Sequence, residues 1–165
     1  MKRSLWVAVG VGLVLVGCGK KAHESIAEKI IEHQMAKDGV KGHVDISGNK
    51  VTVETKDGTA SYAAGAGTKV PDTFPKDVPV YGGASVLASV SVPDGNNLTL
   101  ETKDGAEKVI AFYKSKLTGT GWHEELAMNQ PTGSMLVYKK EQRTVSVVVS
   151  GSGDVTQISL TAANK

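Results

Sequence analysis

The sequence predicts an α+β protein, in which a small antiparallel-sheet domain of order ββαββββ follows an amphipathic helix and a β-meander. Two observations support this prediction. Short runs with alternating apolar residues recur between turn residues, which is typical of antiparallel strands with one buried face. Only two stretches after residue 20 place apolar residues at helical spacing. We expect the helix and meander over 22–64 and the α+β domain over 85–162.

The first helix is predicted from its end signals and its periodicity. Ser25-Ile26-Ala27-Glu28 has the spacing of a capping box, and Gly39 offers a stop after Asp38. One side carries the apolar residues Ile26, Ala27, Ile30, Ile31 and Met35, and much of the other carries Glu24, Glu28, Glu32 and Lys37. We expect the apolar side to pack on a sheet and not to lie on the membrane, because the polar side is rich in Glu and not in Lys or Arg.

A meander and a connector follow this helix. Gly48-Asn49 and Lys56-Asp57-Gly58 are turn sequences between three alternating runs. Residues 65–84 then carry Gly and three regularly spaced prolines, which disfavours helix and central strand. We expect an extended connector that apolar residues attach to a surface, namely Phe74, Val78, Val80 and Tyr81.

The C-terminal half has the most regular pattern. Two alternating runs flank the turn Pro93-Asp94-Gly95, and a helix is predicted to start near Asp104 and Glu107 and to end before Gly121. Four strands are then expected near 122–128, 134–140, 144–150 and 155–161. An 11-residue segment from Gly48 repeats with 8 identities at an offset of 47, and a strand follows the first copy while a helix follows the second.

The N-terminus has the organisation of an export signal. Lys2 and Arg3 precede an apolar run over 5–16, which is shorter than the roughly 17–25 residues that a membrane-spanning helix needs. The run ends in Leu15-Val16-Gly17-Cys18, which resembles the lipobox of bacterial lipoproteins. The resemblance implies a signal peptide over 1–17, cleavage between Gly17 and Cys18, and acylation of Cys18, which would anchor the chain in membrane lipid.

The same resemblance implies a location. Residues 18–21 would form the acylated cysteine and a short tether, and Gly19 in place of aspartate implies the outer membrane, facing the periplasm, in a Gram-negative host. An ordinary secretory signal that happens to contain a cysteine is the alternative interpretation.

Charge and cysteine content exclude several classes of protein. The chain has 19 Lys and Arg against 17 Asp and Glu, and removing Lys2 and Arg3 with the leader leaves 17 against 17. A neutral chain without a basic stripe is not expected to bind nucleic acid. Because Cys18 is the only cysteine, no disulfide is expected within the fold.

No residue pattern predicts catalysis, a metal site or a cofactor. His23, His33 and His43 are ten residues apart, which does not place them on one helix face, and His123 lies far from them. The serines lack the Gly-x-Ser-x-Gly pattern, and the Gly-rich segment over 65–69 lacks the glycines and lysine of a phosphate loop. Glu124 and Glu125 are adjacent on a predicted strand and should point to opposite faces.

Two further segments resemble uncharacterised bacterial lipoproteins that carry an FPxDVPxY entry and an AFYKxxL…GW junction. Here they read Phe74-Pro75-Lys76-Asp77-Val78-Pro79-Val80-Tyr81 and Ala111-Phe112-Tyr113-Lys114-Ser115-Lys116-Leu117, followed by Gly121-Trp122. The resemblance implies a small α+β envelope domain and supplies no catalytic residues. The aromatic residues and Leu117 are equally well interpreted as core positions.

Three functions remain open at this level. The favoured one is a membrane-anchored, non-catalytic interaction or scaffold module that contacts membrane lipid through Cys18 and an envelope protein. The alternative is a periplasmic small-ligand-binding lipoprotein. A hydrolase with an unrecognised site is the least favoured, because no catalytic motif supports it.

Overall fold

The computed structural model describes residues 20–130 and 133–163, except for the side chains of 20–23 and 152. Its elements in chain order are α1 (Lys20–Lys37), β1 (Gly42–Ser47), β2 (Lys50–Thr55), β3 (Gly58–Ala64), β4 (Ser85–Val92), β5 (Gly95–Thr102), α2 (Ala106–Gly119), β6 (His123–Gln130), β7 (Gly133–Lys140), β8 (Arg143–Ser152) and β9 (Val155–Ala163). The described residues therefore form a mixed α+β fold with an antiparallel sheet, as the sequence predicts.

All nine strands belong to one sheet, in the order β1-β2-β3-β4-β5-β9-β8-β7-β6. Each neighbouring pair is antiparallel. The meander is joined to the later strands by β3 and β4, where Tyr62 is opposite Val90. The segments expected over 22–64 and 85–162 thus share a continuous sheet, and β1 and β6 form its two edges.

The main core lies between one face of this sheet, helix α2 and the connector over 65–84. Helix α2 contributes Val109, Tyr113 and Leu117, all fully buried. The sheet contributes alternate residues of its central and later strands, namely Leu98, Leu100, Leu136, Tyr138, Val145, Val147, Val149, Ile158, Leu160 and Ala162. Side chains alternate along each strand, and residues paired between neighbouring strands share a face, so all of these side chains lie on the same face of the sheet.

The connector is part of the core, as predicted. Phe74, Val78 and Tyr81 are 3–5 % exposed, and Val80 packs partly against the same cluster. We call residues 71–84 the strap, because this segment crosses the sheet face beside α2 without forming a strand. Its prolines prevent strand pairing, so apolar side chains hold it in place.

Helix α1 lies at the other end of the sheet and on its opposite face. Ser61 pairs with Ser91 and shares the face of the main core, so its neighbour Ala60 points the other way. Ala60 is opposite Val53, which is opposite Val44. Val44 is fully buried, and α1 is the helix that contacts β1. Helix α1 therefore packs along the β1 edge, on the side of the sheet opposite to α2.

Of the two predicted ends of α1, only the C-terminal end is confirmed. Gly39 has a φ of +78°, and the amides of Gly39 and Val40 donate to the carbonyls of Ala36 and Met35, at 3.2 and 2.9 Å. This is the Schellman arrangement, which confirms the predicted stop. The predicted start at Ser25 is wrong, because the helix already includes Lys20 and Lys21.

The predicted orientation of α1 is confirmed only in part, because only some residues of its apolar side are half-buried as expected, namely Ala27, Ile31 and Met35. Ile26 and Ile30 are 58 % and 64 % exposed, whereas Glu28 and Glu32 are half-buried. The glutamates of the polar side are turned towards the β1 edge, where they accept hydrogen bonds from backbone amides.

Helix α2 starts between Asp104 and Glu107, as predicted, but Asp104 does not cap it. The helix begins at Ala106 after Gly105, which makes no side-chain cap. Asp104 instead accepts hydrogen bonds from the Tyr81 hydroxyl at 2.7 Å and from the Lys108 ammonium at 2.8 Å. Asp104 therefore links the strap to the first turn of α2.

Candidate functional site

The segments that resemble envelope lipoproteins meet in one aromatic cluster, formed by Tyr81 of the strap and by Phe112 and Tyr113 of α2. The ring centroids of Tyr81 and Phe112 are 4.9 Å apart, and those of Phe112 and Tyr113 are 5.2 Å apart, both edge-to-face. Tyr113 and Trp122 are buried, which confirms their interpretation as core residues. The motifs therefore build the joint between strap, helix and sheet.

Asp77 fastens the strap to the turn between β7 and β8. The Arg143 guanidinium donates two hydrogen bonds to its carboxylate, at 2.9 and 2.7 Å, and the Lys140 ammonium donates a third at 3.1 Å. The Arg143 hydrogen bond is the main cause that lowers the pKa of Asp77 to about 2. Such a paired fork fixes direction as well as distance.

Trp122 completes this joint at the end of α2. Its indole N–H donates to the Asp77 carbonyl oxygen at 3.3 Å, and the Arg143 guanidinium carbon lies 5.0 Å from its ring centroid. The Lys140 ammonium lies 5.9 Å from the same ring. The geometry is that of a cation–π contact that supports the carboxylate–guanidinium pair.

The polar groups described so far have hydrogen-bond partners, but the hydroxyl group of Tyr113 is an exception. Tyr113 is fully buried, and its Oη has no hydrogen-bond partner among the described residues. Burial raises the pKa of this phenol, against a smaller lowering by the nearby Tyr81 backbone amide, so the group stays protonated and its own O–H finds no acceptor within the described ranges. By contrast, the Tyr138 hydroxyl donates to Glu124 at 2.9 Å. An orphaned buried donor is costly, so the Tyr113 hydroxyl is a candidate contact for a bound molecule.

Two depressions open on the surface of the described part of the chain. One, of about 610 Å³, is lined by the Gly-rich segment over 65–70 and by 84–87. The other, of about 400 Å³, is lined by Glu101, Lys103 and Asp104 among others. Both are open to solvent.

The β6 edge of the sheet is uncovered. All eight residues of β6 are exposed, and among the strands that the structure describes it pairs with β7 alone. Tyr138 donates to Glu124, and Lys139 pairs with Glu125, but the β6–β7 register shifts between Glu124 and Leu126, which interrupts the alternation on which the predicted placement on opposite faces rests. The remaining backbone of this edge is available to a further strand.

An apolar row on the outer face of the sheet accompanies this edge. Met128 is opposite Met135, which is opposite Val148, so the three side chains lie side by side across β6, β7 and β8. Leu126 adds a fourth member two residues before Met128. Their exposed fractions are 38–43 %, and they point away from the core, because their neighbour Leu136 points into it. We call these four residues the outer row.

The β1 edge is covered by a ladder of glutamates from α1. The amides of Val44, Ile46 and Gly48 donate to the carboxylates of Glu32, Glu28 and Glu24, at 2.9, 2.8 and 3.3 Å. Every fourth helix residue advances about 6 Å, close to the 6.4–6.8 Å between alternate strand residues. The two repeats therefore match, and three carboxylates satisfy three edge amides.

Glu32 makes a second contact in addition to its bond in the ladder. Besides the Val44 amide, its Oε1 lies 2.7 Å from Nδ1 of His43. The Val44 hydrogen bond is the main cause that lowers the pKa of Glu32, and His43 adds to it. His43 is thus placed beside a carboxylate of α1, and the strand neighbour Asp45 is not its partner.

The other sequence-predicted site residues are placed as follows. Gly17 and Cys18, with the whole leader, lie outside the described residues. His33 and His123 are exposed. Within residues 20–130 and 133–163, three or more His, Asp or Glu side chains nowhere gather as a metal site would require. Neither described helix is long and apolar enough to cross a membrane.

Comparison with known proteins gives one match. A family model described as START domain-like matches residues 85–158, which is less than half of the chain. The matched segment begins with β4 and extends into β9, so it includes α2 and the β6 edge. No curated protein and no solved structure matches the chain.

Proposed function

We propose that this chain is an exported, lipid-anchored envelope protein that binds a partner protein through its β6 edge and has no catalytic role. The lipobox-like Leu15-Val16-Gly17-Cys18 supports the anchor, with 1–17 as the leader and Cys18 as the acylated residue. Two acyl chains or more hold a protein stably in a bilayer. In a Gram-negative host, Gly19 supports the outer membrane, with the folded part in the periplasm.

The observation that carries the binding proposal is the contrast between the two edges of the sheet. The β1 edge is satisfied by three carboxylates, whereas β6 has eight exposed residues and no described element along its outer side. Soluble proteins normally protect such edges. An unpaired edge beside an apolar row suits a partner protein that adds a strand to the sheet. Hydrogen bonds between the two backbones would give affinity, and contacts with the outer row would give specificity.

The unit that makes this contact is residues 85–162, with the order ββαββββ. Helix α2 and the strap fill the opposite face of the sheet, so the edge and the outer row are supported by a packed core. The partner is expected to be an envelope protein, because the anchor would restrict the chain to that compartment. No cofactor and no nucleic acid is part of the proposal.

Site-specific crosslinking in cells tests the proposal. A photo-crosslinking residue at Met128 should capture the same partner repeatedly, whereas one at Tyr62 should not. Tyr62 is a matched control, because it is 50 % exposed on β3, away from both edges. Met128→Lys should abolish capture by a probe at Leu126, since charge on an edge strand blocks strand addition. Equal capture from positions 62 and 128, or no effect of Met128→Lys, would contradict the proposed interface.

A second candidate function is the binding of a small, largely apolar ligand. The START domain-like match supports it, since such domains usually bind ligands, and so does the orphaned Tyr113 hydroxyl under the strap. A ligand acceptor at this hydroxyl would require the strap to open. Under this alternative, Tyr113→Phe should weaken ligand binding, measured by the change in Trp122 fluorescence on titration with fatty acids. If no fatty acid changes this fluorescence, the second candidate has no support.

A further inference from the structure

The outward face of α1 carries a combination of residues that the rest of the fold does not use. Ile26 and Ile30 are 58 % and 64 % exposed and lie one turn apart on the same side of the helix. Lys29, His33 and Lys37 are exposed on that side as well. The face therefore combines two apolar anchors with two cations and an imidazole.

Acidic side chains are absent from this outward face among residues 24–37. Glu24, Glu28 and Glu32 are all turned to the β1 edge, where they accept amide hydrogen bonds. Asp38 is exposed but lies beyond the helix end, where it accepts a bond from Gln34 at 3.4 Å. The glutamate ladder thus sorts charge across the helix, with acids inward and bases outward. An apolar and basic face is the pattern of a helix that lies on an anionic bilayer.

The position of α1 in the chain points to the same surface. The described part of the helix begins at Lys20, two residues after Cys18. Two extended residues reach about 7 Å, so an acylated Cys18 would hold the start of α1 at the headgroup layer. Tethering at this distance turns docking of the helix face into an intramolecular step, for which even weak contacts suffice.

We propose that the Ile26–Ile30 face of α1 lies flat on the anionic membrane surface beside the anchor, with Lys29 and Lys37 contacting lipid phosphates. The inference rests on the proposed lipid anchor at Cys18. It gives the anchored molecule a fixed orientation, in which the β1 edge faces the bilayer and the β6 edge is at the far end of the sheet.

The test uses a tryptophan as a depth probe in the mature lipidated protein, residues 18–165, which lacks Trp6. The protein is reconstituted into vesicles of phosphatidylcholine and phosphatidylglycerol with brominated acyl chains. Ile30→Trp should be quenched, because bromine on the lipid tails quenches only a ring inside the bilayer. Met128→Trp is the matched control, since it adds the same ring at an exposed site on the far edge, and it should not be quenched. The native Trp122 is 1 % exposed and gives a constant background.

Replacing both lysines tests the electrostatic part. In the Ile30→Trp protein, Lys29→Gln with Lys37→Gln should lower the ratio of docked to undocked helix by roughly fivefold for each lysine. Both lysines are exposed, so the fold should be retained, which circular dichroism would verify. Quenching that is unchanged by these substitutions, or equal for the probes at 30 and 128, overturns the proposal.

Flotation of the same vesicles separates this inference from the proposed function. Protein that floats with the vesicles while Ile30→Trp remains unquenched contradicts the orientation and leaves the anchor intact. Protein that does not float contradicts the anchor, and the docking of α1 falls with it.

Discussion

Single residues explain how a strap without secondary structure is held across the sheet. Trp122 contacts the strap, the end of α2 and the turn after β7 at once, because its N–H reaches the Asp77 carbonyl while two cations lie over its ring. It is also the largest fully buried side chain described. Loss of this ring should therefore remove contacts to the strap, the end of α2 and the turn after β7.

Trp122→Ala should lower the free energy of unfolding by about 3–5 kcal/mol, the usual cost of removing a large buried ring and leaving a cavity. Urea unfolding followed by circular dichroism measures it. Met128→Ala is the control and should change the free energy of unfolding by no more than about 0.5 kcal/mol, as exposed positions do. A near-neutral Trp122→Ala would show that the ring is not part of the core.

Asp77 should make the fold sensitive to acid. Its pKa is lowered from 3.8 to about 2 by Arg143 and Lys140, so the folded state favours the carboxylate. The associated stability is present above the unfolded pKa and is lost as pH falls from about 5 to 2. Because the carboxylate is about one-third exposed, we expect a contribution on the order of 1 kcal/mol.

Asp77→Asn should remove that part of the acid dependence. Chemical unfolding at a series of pH values should show a shallower loss of stability below pH 5 for the variant than for the native chain. Glu32 and Asp104, whose pKa values are also lowered, keep a residual slope in both proteins. Identical slopes would mean that the Asp77–Arg143 pair does not hold the strap in solution.

Secondary-structure elements show where reasoning from the sequence succeeds. Strand positions follow from alternation and turn residues, because an antiparallel strand with one buried face leaves a period of two in the sequence. The burial of Phe74, Val78 and Tyr81 was predictable too, since apolar residues between prolines need a surface. The aromatic joint and its burial follow from the helical spacing of the α2 residues.

Helix α1 shows where such reasoning fails. Periodicity assumes that the apolar side of a helix is buried, but α1 lies along a sheet edge, and an edge needs hydrogen-bond acceptors. Three glutamates at a spacing of four meet that need, so Ile26 and Ile30 are left outside. The four-residue spacing of Glu24, Glu28 and Glu32 is visible in the sequence. Its match to the amides of β1 can be recognised only when β1 is known to be an edge strand beside this helix.

The internal repeat gives a second case. Glu-Thr-Lys-Asp-Gly ends β2 at Thr55 and β5 at Thr102, and the same letters then lead into a strand in one copy and into α2 in the other. After Gly58 the chain alternates, whereas after Gly105 it has apolar residues at helical spacing. The outcome is decided by the residues that follow, so local similarity alone could not predict it.

The glutamate ladder predicts a specific pattern of amide protection. Glu28→Ala removes the acceptor of the Ile46 amide, and a bond to a charged group is worth about 1.5–3 kcal/mol. Hydrogen exchange at Ile46 should accelerate by about tenfold or more. Lys29→Ala, on the opposite side of α1, is the control and should leave this amide protected. Unchanged exchange at Ile46 in Glu28→Ala would contradict the ladder.

At the scale of the whole molecule, one sheet has two unlike edges. Eight spacings of about 4.8 Å separate β1 from β6, so the edges are up to about 40 Å apart. The β1 edge is closed by α1, whose described part begins two residues after Cys18, and the β6 edge pairs with no further strand among the described residues. The proposed arrangement therefore anchors the chain at one end of the sheet and presents a binding edge at the other.

The continuity of this sheet was not predictable from the sequence. Strands β3 and β4 are separated by twenty residues rich in Gly and Pro, which favoured two separate units, yet they pair over Ser61–Ala64. Pairing of distant strands depends on long-range packing that leaves no local pattern. The open edge was likewise invisible, because strand order within a sheet is not written in the alternation of residues.

The anchor is the claim on which the remaining proposals depend, and metabolic labelling with radioactive palmitate tests it most directly. In a lipoprotein-processing bacterium the native chain should incorporate label and partition with the membrane fraction, and its mature form should begin at Cys18. Cys18→Ser should incorporate none and should retain its leader. Equal labelling of both proteins, or an unlabelled native chain in the soluble fraction, would contradict the account.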